Sequence, residues 1–304
     1  MPPESVNFPG PRSGVAPDAT RRRLLRCLCG GGLALLCQPA PTAHPKRLGS
    51  ALLIGNERYA AAPLQNPAND ARAMQAALER IGFTTRIEID ADYANMLGLL
   101  REYLRRAEDS DVRLIFFAGH GVQWQGRNYL IPVDAAIRNE TELLARGVDL
   151  GMIVDRLAAL REGVNVVIVD ACRNNPFLPS VSGLADVRRL RMRGSKGNAL
   201  SANALSANAL AANGLAPENA PNGTLVAFST SPGAVSVDNP EGENSIYTAL
   251  LVERLATPGL PVERLFKEVR AEVARRTGQR QVPWENSSLT GEFCFRPDAE
   301  GRCG

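Results

Sequence analysis

Only two histidines occur in the 304 residues, His44 and His120. His44 stands at the exit of a basic and apolar N-terminal stretch, so imidazole chemistry in a folded domain falls to His120. That residue follows a continuous apolar run, Val112 to Phe117, within FFAGHG. Gly119 and Gly121 on either side allow a tight turn that would hold the ring at the rim of a sheet. Cys172 ends a second apolar run, VNVVIVDAC, about 50 residues further on. If the two runs are neighbouring parallel strands joined by a right-handed crossover, thiol and imidazole meet at the edge where open α/β sheets bind ligands. A thiolate there attacks a carbonyl carbon, and the imidazolium then gives its proton to the leaving amine. The backbone N–H groups of Gly121 and Cys172 are placed to receive the oxyanion. Taken singly, each side chain reads equally well as a buried structural residue. Their joint placement favours the dyad.

The elements that must position this pair alternate in the manner of an α/β domain with a largely parallel sheet. ALLIGN, Ala51 to Asn56, is the first strand, and Asn69 and Asp70 stand where the N-cap of a first helix is expected, ahead of Met74, Leu78 and Ile81. Thr84 to Ile89 follows as a strand, and Met96, Leu100, Tyr103 and Ala107 mark a helix. After the His120 strand, WQGRNYLIPVD reads as a hairpin about Gly126 and Arg127, and Ile153, Leu157 and Leu160 mark a third helix. Leu225 to Ser229 is a fifth strand, two helices follow from Ser245 and around Val262, and SLTGEFCF closes the sheet. Between Cys172 and Leu225 lie the basic ADVRRLRMRGSKG and a near-repeat of five residues, SANALSANALAANGL, too poor in large apolar residues to pack. It reads as a flexible insert over 180–222.

The N-terminus has the layout of an export signal: TRRRLLR, an apolar run from Leu28 to Cys37, then a small-residue and proline stretch with cleavage near Ala40 or Ala43. The paired arginines before Leu24 and Leu25 resemble a twin-arginine signal, which places the domain in the periplasm. The run is too short to span a bilayer, so no stable membrane insertion is expected after the leader is removed. A basic tail that stays attached is the alternative. The chain is thus divided into a leader at 1–43, a domain at 49–298 and a tail at 299–304. Without the leader, Cys172, Cys294 and Cys303 remain, and in an oxidising compartment Cys294 could pair with Cys303. A net charge of +3, spread along the chain apart from the leader and the insert, excludes a nucleic-acid footprint.

A His-Gly pair after one strand and an Asp-Ala-Cys after the next resembles the caspase-like cysteine peptidases. ALLIGN, the NDA at Asn69 to Ala71, GRNYLIPVD, DACRNNPF, APNGTLVAFSTSPG and PWENSSLTGEF extend the likeness toward bacterial metacaspase-like proteins, or orthocaspases. The resemblance implies a three-layer sandwich with a mostly parallel six-stranded sheet flanked by helices, and a cysteine endopeptidase with protein or peptide substrates. It also implies that Asp70 and Asp170 are the carboxylates of a pocket for Arg or Lys before the scissile bond. Two carboxylates can grip a guanidinium with charge-assisted bonds, whereas the plain alternative for Asp70 is helix capping. Ser229 and Asp238, in the segment after the fifth strand, are expected along the substrate wall. Relatives are often cleaved between these strands, so Arg188, Arg189, Arg191, Arg193 and Lys196 are candidates for self-cleavage in the 186–197 loop; a solvated charge run is the alternative. Many metacaspases bind calcium. Here only Asp134 matches clearly, with Asp149 a second candidate, too few oxygens for a strong site, and no cofactor is expected. The resemblance further implies a monomer. A catalytically silent caspase-like binding module, or a caspase-like hydrolase with another specificity, are the rival readings.

Overall fold

The computed structural model describes residues 48–160, 163–172, 215–232, 239 and 242–304. In chain order these form β1 (Gly49–Gly55), α1 (Pro67–Arg80), β2 (Phe83–Ile89), α2 (Tyr93–Arg106), β3 (Val112–Trp124) and β4 (Arg127–Leu130). Then come α3 (Glu140–Arg146), β5 (Val148–Asp149), α4 (Leu150–Ala158), β6 (Val164–Cys172), β7 (Thr224–Phe228), α5 (Ile246–Leu255), α6 (Val262–Arg276) and β8 (Trp284–Ser287). The main sheet runs β2-β1-β3-β6-β7-β8, parallel except for β8, and β4 with β5 extends it from the far end of β3 to eight strands.

Period-two alternation along buried strands divides the core into two layers. Leu53, Leu114, Phe116, Val166, Ile168, Leu225 and Ala227 face α1, α5 and α6, while Leu52, Ile54, Ile115, Phe117, Val167, Val169 and Phe228 face α2 and α4. Strands covered on both faces are almost wholly apolar, which is why VVIV and LIFF read as unbroken runs. A third, smaller cluster under the β3–β4 hairpin gathers Tyr59, Val122, Trp124, Tyr129 and Ile131. Among the described residues no helix is long and apolar enough to cross a membrane.

Several sequence expectations are corrected. Helix α1 starts at Pro67 after Asn66, a full turn earlier than Asn69–Asp70 suggested, because proline suits the first helical position. Asp70 therefore lies inside the helix. The expected third helix, marked by Ile153, Leu157 and Leu160, is α4, which ends at Ala158, whereas α3 was not anticipated. The hairpin turn is Gln125–Gly126, both with positive φ, so Arg127 already belongs to β4. SLTGEFCF is not a strand: the edge is taken by Trp284–Ser287, antiparallel to β7. Beyond β8 the chain is irregular, buries Phe293 and Phe295 in the core and is closed by a disulfide from Cys294 to Cys303, the pairing anticipated from the sequence. The 299–304 tail is thereby tied back, with the Gly304 N–H donating to the Gly259 carbonyl at 2.8 Å. The chain from Leu215, read as the end of a flexible insert, is also packed, with Leu215 1% exposed.

Because the disulfide ring encloses a turn whose flanking phenylalanines sit in the core, opening it acts on the whole domain. Cys303→Ser is expected to lower stability by about 2–3 kcal/mol. Chemical denaturation would read this as a lower midpoint at unchanged slope; an unchanged midpoint would show that the ring is uncoupled from the core.

Candidate active site

Strand β3 runs straight through the histidine. Its first nine residues pair in parallel with β6, ending with Ala118 opposite Asp170, Gly119 opposite Ala171 and His120 opposite Cys172. From Gly121 on, the same strand pairs antiparallel with β4. The tight turn expected at the glycines is thus a change of partner within one strand. His120 sits at the changeover, and its carbonyl accepts from Ile131 N–H at 3.0 Å.

The imidazole is held from the β1–α1 loop. Its Nε2 lies 2.7 Å from the Ala62 carbonyl oxygen. A carbonyl can only accept, so Nε2 carries the hydrogen and Nδ1 is the basic nitrogen of the neutral ring. Tyr59 packs its ring 4.3 Å from the imidazole, centroid to centroid, and its hydroxyl accepts from His120 N–H at 3.0 Å while donating to Ile131 O at 2.9 Å. Gly119 is required here on space alone, since a Cβ would stand 2.7 Å from that hydroxyl. The loop is pinned in turn by buried Asn56, which accepts from Ala91 N–H at 2.9 Å and donates to Ile131 O at 3.2 Å. Asp90 takes the N–H groups of Glu57 and Arg58, both at 2.9 Å, and the Arg58 guanidinium at 2.6 Å. These contacts hold the Asp90 carboxyl below its ordinary range despite partial burial.

Asp170, two residues before Cys172, and Asp70 on α1 are both buried and are joined by one residue, Ser245. Asp70 accepts from Ser245 N–H and from Asn244 Nδ2, each at 2.9 Å. Asp170 accepts from the Ser245 hydroxyl and from Thr248 Oγ1, the latter at 2.8 Å. Ser245 is also the N-cap of α5, accepting from Thr248 N–H at 2.9 Å, so the positive end of a helix dipole faces the two acids. Burial still dominates. It drives Asp70 up to about 8, helped by the Asp170 charge and opposed by the Asn244 and Ser245 bonds. Burial also raises Asp170, against the Ser245, Thr248 and Ser229 hydroxyls. The pair therefore retains a proton near neutrality and would give it up to an incoming cation. Capping of its own helix is not what Asp70 does: it accepts from the start of another.

Of the positions named from the sequence, His120 stands opposite Cys172 in the ladder and Asp70 is joined to Asp170 through Ser245; the residues that hold them were not named. Tyr59, Ala62, Asn244, Ser245 and Thr248 were not anticipated; the one local signal was a serine directly before the apolar run of α5, which marks an N-cap. Ser229 is buried at the end of β7, where its N–H donates to Val169 O at 3.0 Å and its carbonyl accepts from Gln281 Nε2 at 2.8 Å. The side chain of Cys172, Asp238 and the five basic cleavage candidates lie outside the described residues. The two calcium candidates are occupied by protein groups. Asp134 accepts from Tyr93 N–H at 2.9 Å and faces Arg146 at 3.7 Å, while Asp149 caps α4 and pairs with Arg127. With their oxygens turned to cations and N–H donors, these residues do not fit a calcium ion.

Comparisons with known proteins agree with this geometry. Over 126 residues, 40% of this chain, the sequence is 29% identical to the human Mucosa-associated lymphoid tissue lymphoma translocation protein 1, and its mouse homolog matches to the same degree. The match spans 15% of the length of the human protein and 14% of the mouse one. The crystal structure of Caspase-1 from Spodoptera frugiperda superposes with a TM-score of 0.56 at 18% identity, covering 84% of this chain and 92% of that one, which shows a shared fold. The caspase domain family matches residues 48–294, well over half of the sequence. The chain therefore belongs to the caspase-domain family of cysteine peptidases.

Proposed function

We propose that this peptidase belongs to the bacterial metacaspase-like branch of the family and cleaves peptide bonds after Arg or Lys, with Cys172 as nucleophile and His120 as its base and acid. The observation that carries the reading is the pair of buried carboxylates, Asp70 and Asp170, joined by Ser245, with Asp170 two residues before Cys172. Burying two acids side by side is unfavourable unless something positive completes them. A P1 guanidinium or ammonium does so, and it lowers both pKa values as it binds.

In this mechanism Nδ1 of His120 takes the thiol proton while Nε2–H stays on the Ala62 carbonyl. The thiolate adds to the scissile carbonyl carbon, and the negative charge that develops on its oxygen is met by the N–H groups of Gly121 and Cys172. The imidazolium then passes its proton to the amine nitrogen as the C–N bond breaks, leaving a thioester. Water, deprotonated by the same nitrogen, hydrolyses the thioester and restores the thiol. Ser229 and Asp238 would border the bound peptide. Turnover is proposed to need no calcium, since Asp134 and Asp149 are spent on structural contacts. Export to the periplasm is part of the same reading, supported by the leader at 1–43 and by the Cys294–Cys303 disulfide, which persists in oxidising compartments.

A panel of peptides ending in Arg, Lys or Asp should be cut after Arg and Lys only, with and without chelator. The activity should vanish in Cys172→Ala; cleavage confined to Asp would overturn the pocket assignment, and no cleavage at all would favour a binding module. Self-cleavage after Arg188, Arg189, Arg191, Arg193 or Lys196 belongs to the same specificity. Intact mass should then show two fragments for wild type and one chain for Cys172→Ala, whereas two intact chains would exclude it. The acid pair also fixes a pH dependence. Asp70 is raised, so its charge is absent at low pH and appears as pH rises through about 8. For an Arg peptide kcat/KM should climb over that window, as the free enzyme deprotonates. Asp70→Asn should flatten the climb and raise KM by roughly tenfold to a hundredfold; a profile unchanged by Asp70→Asn would remove Asp70 from the pocket.

A further inference from the structure

The chain leaves the sheet at Cys172 and is next described at Leu215, where it lies against the same strand ends. Leu215 is 1% exposed. A Cβ built on Gly121 would stand 3.1 Å from Leu215 Cδ2 and 3.2 Å from Ala171 Cβ, so the leucine methyls fill the space that a side chain at position 121 would claim. They thereby wedge β3 just past the histidine against β6 just before the cysteine. The residues after Leu215 are clamped. Asn128 on β4 is fully buried and treats Ala216 as a strand partner would: its Oδ1 accepts from Ala216 N–H at 2.6 Å, and its Nδ2 donates to Ala216 O at 3.0 Å. The same Nδ2 donates to Glu218 Oε2 at 2.8 Å, and Asn286 on β8 donates to Glu218 O at 3.0 Å.

We infer that Leu215–Glu218 is a positioning strap, with Leu215 the positioning residue that sets the Gly121 N–H relative to the Cys172 backbone. The inference rests on the mechanism proposed above, in which those two N–H groups receive the oxyanion. It also gives the strap a task distinct from the dyad. Leu215 fills the space beside Gly121, which carries one oxyanion donor, so the strap is assigned to the transition state rather than to the thiolate or the P1 pocket.

The test uses the full chain and measures three things on each variant: kcat and KM for an Arg-ended fluorogenic peptide, the rate at which iodoacetamide alkylates Cys172, and the thermal midpoint. Leu215→Ala should lower kcat by roughly tenfold or more, with KM and the alkylation rate close to wild type, and Leu215→Met should recover most of the loss. If Leu215→Ala does not fold, Leu215→Val carries the same signature at smaller size. A kcat unchanged in the folded variant, or a loss of kcat matched by an equal loss of alkylation rate, would overturn the strap. Its failure is separable from failure of the dyad, because undiminished cleavage by Cys172→Ala would sink the mechanism itself.

Discussion

The parallel ladder between β3 and β6, nine register pairs from Val112 opposite Val164 to His120 opposite Cys172, is the constraint on which the site depends. Side chains in a strand alternate with period two, so a slip of one residue would turn every partner to the other face. The register cannot slip, because both faces of both strands are buried and each apolar residue is committed to one layer. Core packing therefore sets the chemistry: the ladder that buries Phe116 against one set of helices and Phe117 against the other also brings the histidine and cysteine positions abreast. It further puts Asp170 opposite Ala118.

Around that ladder the molecule keeps arrangements that a stability-minded sequence would avoid. Two carboxylates share a buried space, stabilised by a helix N-terminus and by hydroxyls but still driven toward their neutral forms. Such local conflict is expected where a site awaits a ligand. A glycine on either side of the histidine leaves room for Tyr59 and Leu215, which brace the strand from outside the sheet. The disulfide at the C-terminus does the opposite: it secures Phe293 and Phe295 in the core layer between the sheet and its helices.

The strands were legible because they rest on local apolar runs, and the placement of His120 opposite Cys172 because each stands at the end of one. That Asp170 has partners was legible because an acid ending a valine-rich run demands them. The boundary errors have physical causes. Asn66-Pro67 outweighs Asn69-Asp70 as a helix start because proline is favoured at the first turn, and SLTGEFCF has strand-forming residues but is drawn into the core by its phenylalanines and its disulfide. Tyr59, Ala62 and Asn128 were invisible for a different reason. Each acts across a long sequence separation, through a hydroxyl, a backbone carbonyl or an amide, and no local pattern announces such a contact.

Whether His120 and Cys172 work as one acid-base pair is read from the pH dependence of Cys172 alkylation in wild type and in His120→Ala. Wild type should alkylate fast at neutral pH, with the thiol titrating below its ordinary value of about 8.5, and the variant should return toward that value. Identical profiles in the two proteins would show that the histidine and the thiol do not act as a pair.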